Sequence, residues 1–264
     1  QGRSHETLDI PCQDAFETRA GPGGILLLAL ADGAGSADYA DRGAQAAVAE
    51  ALDALSALLE QDVPSRPEAW GETLLTAFEW ARLELNFLAA EEGRPLRDYA
   101  TTLTCVAAAG DWLAAASLGD GVVVAGDGDG LATVTTLQRG EYANETVFLT
   151  QEDALDHVQL CFRPGPVSRL AVMSDGLTRL ALRFPSLEPF EPFFQPLFAF
   201  LEAALAKGEN GRASEQLAEF LGSPRVNART DDDKSLILAL RRPAAEPNGV
   251  APEGGSVDAA DSWD

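Results

Sequence analysis

The chain has 264 residues, 46% of them hydrophobic, which is enough for one sizeable core in a single domain. Lysine and arginine total 19 against 42 aspartates and glutamates, a formal charge of −23. A polyanion of this kind repels nucleic acid and anionic membranes, so neither is expected as a partner.

Three cysteines, Cys12, Cys105 and Cys161, are widely spaced and form no CxxC pair. They read as reduced, buried thiols of a cytoplasmic protein rather than a disulfide scaffold or a zinc site. No apolar run approaches the ~18 residues of a membrane-spanning helix, and no signal peptide is visible.

In chain order, residues 11–31 read as two strands around the Gly-Pro-Gly-Gly turn at 21–24. The second, "ILLLALA", is apolar on both faces and so belongs in the centre of a covered sheet. Residues 38–60 carry apolar side chains at a 3.6-residue period, from Ala44 and Val48 to Leu58 and Leu59, and predict a helix. A second helix is expected over 66–92, with Ser65 and Glu68 at capping-box spacing and Pro67 in the first turn. Residues 101–137 read as a meander with turns at Gly110-Asp111, Asp120-Gly121 and 126–130. "VFLT" and "HVQLCF" are expected to continue the sheet. "SRLAVMSDGL" is another apolar strand, 189–222 is helical with a break at 208–211, and "KSLILAL" is a last core strand. This order suggests an α+β sandwich with an antiparallel core. From Pro243 onward, Pro, Gly, Ala, Ser and acidic residues predict a disordered tail.

One feature recurs. Asp32 in "ALADGAG", Asp120 in "SLGDGVV", Asp175 in "VMSDGLT" and Asp231, Asp232 and Asp233 in "TDDDKSLILAL" all sit at ends of core strands beside small residues. Asp-Gly is a common hairpin turn, and a turn is the simpler reading of Asp120, Asp127 and Asp129. Asp32 and Asp175 each follow a strand and open a helix, so a hairpin does not explain them, though an N-cap could. If these carboxylates meet, they repel by about 4 kcal/mol per pair at ~4 Å and an effective dielectric near 20. Such a cleft must protonate, open, or bind cations. Oxygen ligands with water in the remaining positions suit magnesium or manganese. With only His5 and His157 in the chain, a histidine-rich zinc site is not available.

The ordered motifs "QDAF", "ADGAGSA", "ATTLT", "LGDG", "MSDGLT" and "TDDDKSL" resemble those of the metal-dependent protein phosphatases (PPM, type 2C). The match is closer to a bacterial subgroup, through "SHETLDIPCQDAF" at 4–16 and "GEYANETVFLT" at 140–150. The resemblance implies an α-β-β-α sandwich: two antiparallel sheets flanked by helix pairs, a phosphatase domain over 1–242 and the tail at 243–264. It implies hydrolysis of phosphoserine or phosphothreonine by a hydroxide bridging two magnesium or manganese ions, with a third, weaker ion possible. By motif, Asp32 resembles the bridging carboxylate, and Gly33 the residue whose carbonyl reaches one metal. Asp175 and Asp232 resemble ligands of the second metal, and Asp120 a ligand of the third. Asp14 resembles an acidic residue acting through water. A phosphorylated protein substrate, a cognate serine/threonine kinase and a monomeric state are expected with it.

The chain departs from the family in two respects, of which Ala100 in place of the glycine of the family's "GTT" reads as a packing difference. Where many members place a phosphate-gripping Arg, the register falls on Asp9, and Gln13 replaces the Glu four residues later. Arg3 and His5 remain as candidates, though Arg3 reads more simply as a solvated surface charge. His5 is a candidate general acid or a local hydrogen-bonding group. The departure keeps open an alternative, a PPM-fold module of little or no activity that binds a regulatory partner or phosphopeptide. "FPSLEPFEPFFQPLFAFLEAALA" (184–206) holds six of the 12 phenylalanines, read as core packing or as a docking surface.

Overall fold

The computed structural model describes residues 1–8, 10–136, 146–204, 208–242 and 262–263. A short helix α1 (Arg3–Leu8) precedes strands β1 (Asp14–Ala20) and β2 (Leu26–Asp32). Two long helices follow, α2 (Ala40–Gln61) and α3 (Pro67–Glu91). Next come β3 (Leu103–Ala108), β4 (Trp112–Leu118), β5 (Val122–Asp127), β6 (Gly130–Thr133), β7 (Gln159–Pro164) and β8 (Arg169–Met173). Then α4 (Thr178–Ala181), β9 (Leu182–Arg183), β10 (Glu188–Pro189), α5 (Glu191–Ala203), α6 (Gly211–Leu221) and α7 (Pro224–Asn227) lead to β11 (Leu236–Arg242) and β12 (Ser262–Trp263).

Ten strands form two antiparallel five-stranded sheets, β1-β2-β3-β4-β7 and β12-β11-β8-β5-β6, and β9 pairs with β10 separately. Alternation along each strand explains the layers. Leu28 and Leu30 of β2 pack against Val123 and Ala125 of β5 and Val172 of β8, between the sheets. Leu27, Ala29 and Ala31 face the other way, onto Ala44, Val48 and Leu55 of α2 and Leu74 and Phe78 of α3. Val122 and Val124 face outward onto Phe194 and Phe198 of α5. The fold is therefore the expected α-β-β-α sandwich. One helical layer is two long helices, while the other is pieced together from α4, α5, the end of α6 and α7.

Three local expectations change. α3 starts at Pro67 with Arg66 as its cap and no side-chain capping bond, so the Ser65–Glu68 box is not the cap; Pro67 starts the helix because its missing N–H has no partner to lose there. "VFLT" is loop and turn rather than strand, and β7 fills the sheet edge instead. The Asp120-Gly121 step is not a hairpin: β4 belongs to one sheet and β5 to the other. The core-packing reading of the phenylalanine-rich segment holds for four of its six phenylalanines: Phe194 and Phe198 are fully covered and Phe190 and Phe193 half-buried, while Phe184 and Phe200 are exposed. The tail from 243 lies outside the described residues except Ser262–Trp263, which pair with Arg242 and Arg241 of β11.

Candidate metal centre

Topology brings the acidic strand ends together. Asp14 and Asp32 are register partners across β1 and β2. β8 and β11 run antiparallel with Met173 opposite Leu236, so Asp175, just past β8, and Asp232, just before β11, sit at the same end. Val122 also pairs with Met173, which puts the β4–β5 crossing and its Asp120 there too. A cleft of about 190 Å³ results, lined by Asp32, Gly33, Asp120, Asp175 and Asp232 together with His5, Gln13, Thr102, Thr146 and Phe148.

The frame under Asp32 is tight. Its N–H donates to Thr102 Oγ1 (2.9 Å), and its carbonyl accepts from Thr102 N–H (2.8 Å) and Thr101 Oγ1 (3.0 Å). A Cβ on Gly33 would stand 2.6 Å from the Ala40 carbonyl oxygen, so only glycine lets the chain turn from β2 into α2 here. Gly176 plays the matching part opposite: a Cβ there would lie 2.0 Å from the Asp233 carbonyl oxygen and 3.4 Å from Asp232 Cβ. Its smallness lets the Asp175 turn close on the Asp232 segment.

The electrostatics are those of crowded anions. Burial first, then the charges of Asp14, Asp175, Asp120 and Asp232, push the Asp32 carboxyl well above the usual range. Burial, then Asp120 and Asp232, raises Asp175 to about 7. Burial likewise raises Asp120 and lifts Asp14 to about 6, the latter despite a 2.8 Å bond from Ser174 Oγ. Asp14 Oδ1, Asp175 Oδ1 and Gln13 Oε1 are buried without a hydrogen-bond partner among the described residues. Buried acceptors of this kind cost free energy unless something with positive charge meets them. Among the described residues no three His, Cys, Asp or Glu side chains close into a cage around one point. The arrangement is an open acidic cleft rather than a closed cage.

Asp233, one residue on, is a different case. Its oxygens accept from the Gly2 N–H, from the Gln13 N–H (2.7 Å) and from His5 Nδ1 (2.7 Å). Burial works upward on its pKa, but the Gln13, Gly2 and His5 bonds outweigh it and hold the carboxyl below the ordinary value. Asp233 thus clasps the N-terminal segment and fixes His5 against the cleft. Asp14 lies beneath the cleft, bonded to Ser174. Arg3 stands exposed and outside the lining. Asp9 and 140–145 lie outside the described residues.

Sequence reasoning passed over several residues that the site uses. Asp233 was one of three consecutive aspartates, and Thr102 and Ser174 carried no chemical signal of their own. Thr146 and Phe148 belong to "GEYANETVFLT"; the motif itself was the available clue. Thr146 Oγ1 donates to Asp120 Oδ2 at 3.2 Å.

A two-sheet sandwich with its carboxylates gathered at one end is a scaffold for divalent-cation chemistry. The family described as protein phosphatase 2C matches residues 1–222, and the chain belongs to that family. It is 37% identical over 244 residues to serine/threonine-protein phosphatase 3 of Escherichia coli (strain K12), spanning 90% of this chain and 94% of that protein. Among solved structures it resembles a bacterial serine phosphatase, with a TM-score of 0.60 at 16% identity over 87% of this chain and 92% of that one. It also resembles a serine/threonine phosphatase from Staphylococcus aureus, with a TM-score of 0.56 at 16% identity over 87% and 89%. These two structural likenesses speak for the fold. Among the described residues no helix is long and apolar enough to cross a membrane.

Proposed function

We propose that this chain removes phosphate from phosphoserine and phosphothreonine in proteins, using divalent cations, magnesium or manganese, held in the acidic cleft. The observation that carries the reading is the set of mutually repelling carboxylates, Asp32, Asp120, Asp175 and Asp232 over Asp14, with buried oxygens left unmatched. Asp32, at the end of a rigid core strand, would hold two such ions together with the Gly33 carbonyl, Asp175 and Asp232. Asp120, with Asp175, would hold a third and weaker one. When bound, such ions lower the pKa of water toward neutrality and offset the charge of phosphoryl oxygens.

The chain's own residues do the rest. Asp14, held by Ser174, orients solvent beneath Asp32. The Asp233 clasp engages His5 Nδ1 and leaves Nε2 for the cleft, where it gives a proton to the departing serine or threonine oxygen. Phe148 supplies an apolar wall on the substrate side. The three cysteines are unpaired, which fits a reducing compartment, and we place the protein in the cytoplasm opposite a serine/threonine kinase.

One observation supports a second reading, a weakly catalytic module that binds a phosphorylated partner. Among the described residues lining the cleft there is no Lys or Arg to grip phosphate. The two readings separate in one assay. The enzyme hydrolyses an aryl phosphate and a phosphothreonine peptide with manganese and stops with chelator, and Asp175→Asn abolishes turnover and weakens the manganese-induced rise in melting temperature. A chain that binds the phosphopeptide yet turns nothing over with either metal is the module.

A further inference from the structure

The outer surface of α3 carries a feature that the cleft does not explain. Trp80, Leu83 and Phe87 are 55%, 56% and 65% exposed, although they belong to a helix whose opposite face is core. At 3.6 residues per turn they fall within about 60° of one another, a single outward stripe. None of them lines the cleft. Isolated surface hydrophobics need no explanation, but three large ones at i, i+3 and i+7 form the contact pattern of one helix laid along another.

Charge identifies the occupant. Glu72, Glu79 and Glu91 are exposed on α3, and Glu84 is half-buried beside the stripe. The helix's single basic residue, Arg82, is turned inward and donates to the carbonyls of Leu149 (3.2 Å) and Gln151 (3.0 Å). On the neighbouring helix, burial and then the charges of Glu84 and Asp53 raise the Glu50 carboxyl, so the acidic field extends along this flank. A second copy would oppose glutamates to glutamates in chains that each carry a formal charge of −23. The chain's own tail has Glu246, Glu253, Asp258, Asp261 and Asp264 and no Lys or Arg, so it is repelled as well. Anionic membrane is disfavoured on the same ground.

We propose that the Trp80–Leu83–Phe87 face of α3 docks a basic amphipathic helix of another protein, its apolar side on the stripe and its lysines or arginines on the flanking glutamates. The inference is independent of the phosphatase reading.

A synthetic leucine–lysine peptide with one apolar helical face is the probe, titrated calorimetrically into the whole chain. Two controls are a scramble of the same composition with no face and a leucine–glutamate peptide of the same pattern. The faced lysine peptide should bind best. Trp80→Ser/Leu83→Ser/Phe87→Ser should weaken it by about 30-fold, the loss expected when central aromatic anchors are truncated. Glu72→Lys/Glu79→Lys/Glu91→Lys should reverse the preference toward the glutamate peptide, which guards against a folding defect in the first variant. Hydrolysis of an aryl phosphate by both variants should match wild type. Equal binding of the scramble, unchanged binding by the serine variant, or no binding of the faced peptide overturns the proposal. So does sedimentation showing a dimer that the serine variant dissolves.

Discussion

Two carboxylate sites, joined in sequence by the neighbours Asp232 and Asp233, behave oppositely in this molecule. In the cleft, Asp32 and Asp175 face other carboxylates, and both are pushed toward their neutral forms. Asp233 faces two backbone N–H groups and an imidazole, and is held as an anion. The difference lies in what meets the oxygens: the clasp is complete within the protein, whereas the cleft leaves Asp14 Oδ1 and Asp175 Oδ1 unmatched among the described residues. A buried acid without donors is thus a better sign of a ligand site than a buried acid as such.

The contrast is most severely tested in turnover. Asp32→Asn and Asp175→Asn should each lower kcat/KM by at least about 10²-fold, the scale on which single groups stabilising transition-state charge act. The same changes should leave the metal-free protein as stable as wild type or more so, because a repelling anion has been removed. A loss of both stability and activity would mean these residues build the fold rather than the site. Asp233 should do the reverse. Asp233→Ala should cost about 3–5 kcal/mol by chemical denaturation, since it removes the charged acceptor and leaves the Gly2 and Gln13 N–H groups and the His5 ring unmatched. An undiminished unfolding midpoint would remove the clasp from the account.

pH sharpens the contrast further. Asp14 and Asp175 have folded-state pKa values raised to about 6 and about 7, from an ordinary 3.8. A raised acid favours the protonated fold, so its contribution is fully present below about pH 4 and is lost as pH rises through 6 and 7. Metal-free protein should therefore melt at falling temperature across that window as these groups ionise. Manganese should reverse the trend, with its stabilisation larger at pH 8 than at pH 5, as scanning calorimetry in chelator and in manganese would show. A manganese effect that does not grow with pH would argue that the cation binds elsewhere. The smallest effect is expected at Thr146→Val, which removes one bond to Asp120 and should weaken binding of the weakest cation by about 1 kcal/mol, read from a manganese titration.

Much of the architecture was legible because burial writes itself into spacing. The two-sided apolar run of β2, the helical stripes of α2 and α3 and the apolar β8 and β11 each lie where their patterns put them. The errors fell where local signals have two outcomes. Asp120-Gly121 has the composition of a hairpin, but whether the chain returns beside β4 or crosses to the facing sheet depends on β5 finding β8 and β6. "VFLT" is apolar enough for a strand, yet Thr146 and Phe148 are drawn to the cleft and Arg82 of α3 holds the Leu149 and Gln151 carbonyls.

The sequence by itself determined the sandwich's elements and the placing of aspartates at strand ends, since both follow from local periodicity and glycine chemistry. Only the tertiary structure decided which aspartates share the cleft. In "TDDDKS", which lies ahead of β11, Asp232 lines the cleft while Asp233 binds the N-terminal segment some 220 to 231 residues away in sequence. No local pattern encodes that choice, because it depends on donors that reach Asp233 only after both ends of the chain have met.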